Sequence, residues 1–395
     1  MDIELAGRVQ RIQPSPTMAI TARAAELRSA GEDVIGLAAG EPDFETPEHI
    51  KAAATAAIAD GETRYTPVDG TSALKRAIAR KLDRDQGLRY ADAEILVSSG
   101  AKHSIFNLVC ALVNRGDEVV IPAPYWVSYP DMVRLLDGVP VVVPASQSQG
   151  FKITPEQLER ALTPRSRLVI LNSPGNPSGA VYSADELDAL GRVLERHPHV
   201  VVLTDDIYEH IVWPPGGFHN ILELRPGLSG RTVVVNGVSK GYAMTGWRIG
   251  YAAGPAPVIA AMRKVQSQST SNPCSVSQAA AVAALDGDQE CIEPMRRAFQ
   301  ERHDFVVARL NAIAGLHCLP SGGTFYAFPN AEGAIAAMQC KDDTALAERL
   351  LDAAGVALVP GSAFGMPGHL RLSYACGMDA LADAMNRMER LLGAA

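Results

Sequence analysis

Short apolar runs alternate with longer stretches of helical period through the middle of the chain. That rhythm predicts βαβ units built around a mostly parallel sheet. The runs cover 95–97, 118–121, 139–143, 168–171, 200–203, 232–235 and 248–252. They are mostly short continuous apolar runs, as strands covered on both faces require. Between them, Ser183-Ala184-Asp185-Glu186 is a capping box, and Thr154-Pro155 sets a capping hydroxyl before a proline suited to a first helical turn.

The two ends of the chain follow a different rhythm. A polar arm precedes a helical pattern from Met18 to Ser29, and an apolar piece from Val34 to Gly40 is broken by Glu41-Pro42-Asp43. Helices are expected over 49–60 and 74–82. After about Asp286 come a long helix over 293–314, short strands near 323–328, 356–359 and 369–374, and helices over 344–354 and 378–392. The expected fold is α/β, a mostly parallel sheet sandwiched by helices, with a smaller α+β domain. Residues 1–47 are assigned to an N-terminal arm and part of the small domain, 48–286 to the large, cofactor-binding domain, and 287–395 to the small C-terminal domain.

Composition narrows the function classes. The 395 residues include 47% hydrophobic and 20% charged side chains, which is ordinary globular usage. A net charge of −8 and the lack of a basic run argue against nucleic acid as a partner. Six scattered cysteines with no C-x-x-C read as reduced thiols. Met1-Asp2-Ile3-Glu4-Leu5 carries no basic n-region before an apolar run, and no apolar stretch is long enough to span a bilayer. A cytoplasmic protein without membrane or metal partners is expected.

In open α/β sheets, ligands bind beyond the carboxyl ends of the strands. The residues that end the predicted strands are Ser98 to Lys102, Tyr125-Trp126, Asn172 to Gly179, Asp205 to Tyr208, and Ser239-Lys240. Each has a plain structural role to offer. Gly100 and Asn176-Pro177 suit turns, Trp126 suits a core, Asp205 suits a helix cap, and Lys240 could snorkel to the surface. Turn chemistry, however, does not require a lysine, an arginine, a carboxylate, an amide and aromatic rings to converge on one sheet edge. A phosphorylated aldehyde cofactor does use that set. The helix opening at Ala101 offers N–H groups to a phosphate, and Arg248 completes the cradle. Trp126 stacks on a flat ring, Asp205 keeps a pyridine nitrogen protonated, and a desolvated Lys240 forms a Schiff base.

With these residues the chain resembles a class I aminotransferase of the fold type I pyridoxal phosphate enzymes, most of all the bacterial aspartate aminotransferase subgroup. The likeness runs nearly end to end, through Ala39 to Phe44, Arg64-Tyr65, Tyr125 to Tyr129, Asn172 to Gly179, Asp205 to Tyr208, Ser239 to Tyr251 and Arg371 to Tyr374. It implies that Lys240 is the Schiff base lysine and the proton carrier, next to Ser239. Asp205 would pair with the ring nitrogen, Tyr208 and Asn176 with the ring oxygen, and Trp126 with the ring face. Arg248 and the amides of Ala101 and Lys102, after Gly100, would hold the phosphate. Tyr65 would reach the phosphate of a neighbouring subunit in a homodimer. Arg371, with Asn176 and the backbone of Gly40, would bind the substrate α-carboxylate, and Lys102 with Thr17 would receive a distal carboxylate.

The resemblance thus implies amino transfer between an amino acid, aspartate or glutamate first, and a 2-oxo acid by a ping-pong cycle. Prephenate or aromatic amino acids are the alternative substrates, and a C–S lyase of the same fold is the alternative reaction. A transcription regulator would need a DNA-binding segment before the fold, and a Rossmann dehydrogenase would need G-x-G-x-x-G where Ser98-Ser99-Gly100-Ala101-Lys102 stands. Three positions depart from the pattern. Asp206 stands where glutamate is more frequent, Gly237 replaces a phosphate-contacting serine, and Ser178 replaces threonine. Two adjacent aspartates leave open which one faces the ring; Asp205 is preferred because Tyr208 follows it by three residues.

Overall fold

A computed structural model describes residues 3–12, 14, 16–213 and 215–393. The outermost residues of the two terminal ranges, 1–2 and 394–395, therefore lie outside the described residues. Strands β1 Ile35–Gly36, β2 Ile95–Ser98, β3 Glu118–Ala123, β4 Val139–Pro144, β5 Ser166–Asn172 and β6 Val201–Asp205 come first. They are followed by β7 Thr232–Gly237, β8 Gly250–Ala253, β9 Tyr326–Ala327, β10 Val356–Ala357, β11 Val359–Pro360 and β12 Leu370–Ser373.

Seven of these form one sheet in the order β2-β8-β7-β6-β5-β3-β4. All run parallel except β8, which is antiparallel to both β2 and β7. Strand side chains alternate between faces, so neighbouring residues enter different cores. Val97, Val202 and Val234 pack on one side with Ile50, Ile78 and Leu187. Leu96, Leu203 and Val233 pack on the other with Ile105, Leu108 and Met262. Each such side chain taken fully from water stabilises the fold by about 1.5–3 kcal/mol before entropy is counted.

Helix starts occur where their capping residues sit. Thr154 accepts from the N–H of Gln157, and Ser183 from that of Glu186, each with the reciprocal side-chain bond of a capping box. Several strand boundaries differ from the sequence reading, and two of them bear on the site. Asn236-Gly237 reads as a turn, yet β7 runs through both because Asn236 pairs with Tyr251 and Gly237 with Gly250. Arg248 lies outside the last strand of the sheet, in a left-handed backbone conformation at φ 58°, and β8 begins only at Gly250.

A separate apolar cluster gathers Leu37, Phe299, Leu350, Leu372 and Met385. It surrounds a three-stranded antiparallel sheet in the order β11-β12-β9. The start of the chain joins it, since β1 pairs in parallel with β10 through Ile35↔Val356. No helix among the described residues is long and apolar enough to cross a membrane.

Candidate active site

The carboxyl ends of β2, β3, β5, β6 and β7 open onto a cavity of about 270 Å³, roofed by Tyr326 and Arg371 from the smaller sheet. Of the candidate residues named from the sequence, all line this cavity except Gly100 and Tyr65. Gly100 sits at its edge as the N-cap of helix Ala101–Leu112. Its φ of 88° suits glycine, and a Cβ there would come within 2.3 Å of Arg248 Nη2. The arginine can thus lie against the helix start, where unpaired N–H groups favour an anion. Tyr65 stands away from this cavity with 93% of its surface exposed.

Lys240 follows β7, and its amine donates to the carbonyl of Gly40 while lying 5.9 and 5.8 Å from the rings of Tyr208 and Phe325. Burial lowers its pKa to about 8, with the charges of Arg248 and Arg371 acting in the same direction and Glu41 opposing them. The amine therefore gives up its proton more readily than a solvated lysine does.

The two adjacent aspartates point in opposite directions. Asp205 ends β6, lines the cavity, and accepts a 2.6 Å hydrogen bond from the Tyr129 hydroxyl. Burial raises its pKa to about 6, while Tyr129, the N–H of Ile207 and the charge of Lys240 pull it down. Asp206 turns behind the strand and accepts from the Asn220 amide at 2.6 Å. The backbone carbonyl of Asp205 is in turn held by Asn172 Nδ2 at 2.8 Å, and Asn172 Oδ1 accepts from the N–H of Asn176 at 3.0 Å.

Arg371 is 2% exposed and donates to Asn176 Oδ1 at 3.0 Å and to the carbonyl of Ala38 at 2.6 Å. Its guanidinium lies between the rings of Tyr326 and Phe364, 4.6 and 4.9 Å from their centroids, and its Nε is buried without a partner. Lys102 places its amine 4.8 Å from the centre of the Trp126 ring, and burial together with the charge of Arg248 lowers its pKa. Nearby, Thr17 has a buried hydroxyl with no partner.

The charges do not balance. Lys102, Lys240, Arg248 and Arg371 all line the cavity, and Asp205 is the one carboxylate that does so among the described residues. Among the described residues none of the four cations has a carboxylate ion-pair partner, although ion pairs abound elsewhere in the chain. Cations left uncompensated in a half-dry cleft select anionic ligands. Three anionic groups would match them, one near Arg248, one near Arg371 and one near Lys102.

Sequence reasoning passed over two residues that complete this geometry. Tyr129 clamps Asp205, and Tyr326 shares a 2.9 Å hydrogen bond with Tyr208. Neither is given a role from the sequence alone. The available signals were spacing, since Tyr129 lies three residues after Trp126 on a helical start, and pairing, since Tyr326 faces Ser373 on the strand that holds Arg371.

Comparison with known proteins gives the family. The chain matches the family described as aminotransferase class I and II over residues 32–387. It is 55% identical to an aspartate/prephenate aminotransferase of Nitrosomonas europaea, covering 99% of this chain and 100% of that protein. It is 51% identical to an aspartate aminotransferase of Geobacillus stearothermophilus, with 99% and 100% covered. The crystal structure of the aspartate aminotransferase from Rhizobium meliloti has a TM-score of 0.96 at 50% identity, with 99% of each chain covered. That of the Thermus thermophilus aspartate aminotransferase with maleate has a TM-score of 0.93 at 42% identity, covering 99% and 100%.

Proposed function

Because this chain belongs to the aminotransferase class I and II family, we propose that it moves an amino group between aspartate or glutamate and a 2-oxo acid in a ping-pong cycle. It is a pyridoxal phosphate enzyme. The cofactor, when bound, supplies an aldehyde that captures amines and a ring that takes up electron density from the substrate Cα. The cavity fits it on three counts. Arg248 lies against a helix N-terminus, an enclosed lysine faces the same space, and a buried carboxylate lines it too.

In this reading Arg248 and the N–H groups of Ala101 and Lys102, beside Ser239, hold the phosphate. Asp205 keeps the proton on the ring nitrogen, Tyr208 and Asn176 hold the ring oxygen, and Trp126 covers one face. Arg371, with Asn176 and the backbone of Gly40, takes the substrate α-carboxylate. Lys240 Nζ would remove the Cα proton and deliver it to the cofactor's aldehyde carbon, two atoms further on, a task suited to an amine with a pKa of about 8. Residues 48–286 form the large domain that carries the cofactor groups, and 1–47 with 287–395 carry Gly40 and Arg371. Binding of the α-carboxylate therefore joins the two parts. Two copies assemble as a homodimer in which the exposed Tyr65 reaches the neighbouring phosphate.

Lys102 and the unpartnered Thr17 hydroxyl receive a distal carboxylate, which favours acidic substrates. The Thermus relative crystallised with maleate, a dicarboxylate, supports this choice. The Nitrosomonas relative favours prephenate as a second acidic oxo acid. The observation that carries the proposal is the Lys240 amine in a cavity that Lys102, Arg248, Arg371 and, as the single carboxylate among the described residues, Asp205 also line. Lys240→Ala is expected to lower kcat with aspartate and 2-oxoglutarate by on the order of 10⁴-fold. Retained turnover in that variant would refute the assignment.

A further inference from the structure

Tyr326 stands on β9, whose partner strand β12 carries Arg371. Its ring is 1% exposed, and the Arg371 guanidinium lies over it. Its hydroxyl is 2.9 Å from that of Tyr208, with the two rings inclined at 79°. A Cβ added at Gly40 would come within 2.7 Å of the same oxygen, at the residue whose carbonyl receives the Lys240 amine. The Tyr326 phenol thus touches the proposed carboxylate-binding arginine, the backbone beside the lysine, and Tyr208.

Each of these two phenols has one proton to give. Burial drives both pKa values upward, so both side chains stay neutral. One hydroxyl must then donate to the other. If Tyr208 accepts from Tyr326, its own proton is free for an acceptor in the cavity. In the reverse order Tyr208 points its proton at Tyr326, and the cavity acceptor goes without. The first order also polarises the Tyr208 O–H bond and strengthens what it donates.

We propose that Tyr326 is a positioning residue: its hydroxyl turns the Tyr208 proton toward the ring oxygen of the cofactor and ties that donation to the strand that carries Arg371. The inference rests on the reading of Tyr208 as donor to that oxygen. It goes further in making the donation depend on a residue of the smaller sheet, so that the electronics of the cofactor respond to where that sheet sits.

The test follows the absorbance of the bound pyridoxal phosphate against pH in the wild type, Tyr326→Phe, Tyr208→Phe and the double variant. Donation stabilises the ring oxygen most where it carries the fullest negative charge, in the high-pH form, so losing it raises the pH midpoint. Tyr208→Phe is expected to raise the midpoint. Tyr326→Phe, which keeps the ring beneath Arg371, raises it by a smaller amount, roughly half a pH unit. In the double variant the second substitution adds nothing, because the relay is already cut. An unchanged midpoint in Tyr326→Phe beside a shifted Tyr208→Phe overturns the inference and leaves the reading of Tyr208 standing. Full additivity also overturns it, since the two hydroxyls then act separately. An unshifted Tyr208→Phe overturns both. The bound chromophore itself reports that each variant is folded.

Discussion

Asp205 and Asp206 are neighbours in the chain and both are buried, yet they open onto opposite kinds of polar region. Behind β6 the carboxylates find partners within the fold. Asp206 is held by Asn220, Glu209 by Lys81 and by Gln86 at 2.5 Å, and Lys81 lies 3.6 Å from Asp85. Asp85, Glu209 and His210 gather closely enough to resemble a metal site, but the Lys81 ammonium already supplies the positive charge. In front of β6, Asp205 meets four cations with no ion pair of their own. A closed network recovers part of its desolvation cost within the fold, whereas an open one recovers it only when a ligand arrives. What marks the site is therefore imbalance of charge rather than burial of charge.

Exchanging each carboxylate for its amide breaks the comparison most sharply. Asp205→Asn removes the group that would hold a proton on the cofactor ring and is expected to lower kcat by on the order of 10²–10³-fold with little change in stability. Asp206→Asn disturbs only a satisfied internal pair. It should cost about 1–2 kcal/mol of stability and leave kcat within about threefold. Steady-state kinetics and thermal unfolding of the two variants decide the matter, and equal kinetic losses would erase the distinction between the two regions.

The next effect concerns the open side alone. Lys102→Ala should reduce kcat/KM for aspartate by roughly 10–100-fold, the size of one lost charge-assisted contact, and reduce it far less for an aromatic amino acid. A substrate panel measures this, and equal losses for acidic and aromatic substrates would remove Lys102 from the role of distal-carboxylate ligand. The smallest effect is one of pH. The Lys240 pKa is depressed to about 8, so its neutral fraction grows as pH rises toward that value and levels off above it. Covalent capture of pyridoxal phosphate by the apoprotein should therefore speed up by about tenfold between pH 7 and 9. Stopped-flow absorbance checks this, and a rate still climbing steeply at pH 10 would mean that the lysine is not desolvated.

Much of this was legible in the sequence because strand ends must share one edge of a parallel sheet. Gly100, Trp126, Asn176, Asp205 and Lys240 follow the carboxyl ends of β2, β3, β5, β6 and β7, which run parallel in one sheet, so their convergence follows from topology. What escaped depends on tertiary detail. The turn signal of Asn236-Gly237 was overridden by ladder pairing with β8. Arg248 reaches the helix start through a left-handed backbone that nothing in its neighbours' residue types announces. The direction of Asp206 depends on Asn220, fourteen residues away on the far side of the strand. Tyr129 and Tyr326 are buried aromatics whose hydroxyls matter only because of what lies beside them.

The central claim is that the open charges around Lys240 bind an acidic amino acid and strip it of its amino group, which the enzyme then keeps. The most direct test is a single half-reaction, in which the protein loaded with pyridoxal phosphate meets aspartate in the absence of any oxo acid acceptor. The account predicts about one equivalent of oxaloacetate per subunit and then a halt that 2-oxoglutarate relieves. Continuous release of product without an acceptor, or an undiminished burst from Lys240→Ala, would contradict it.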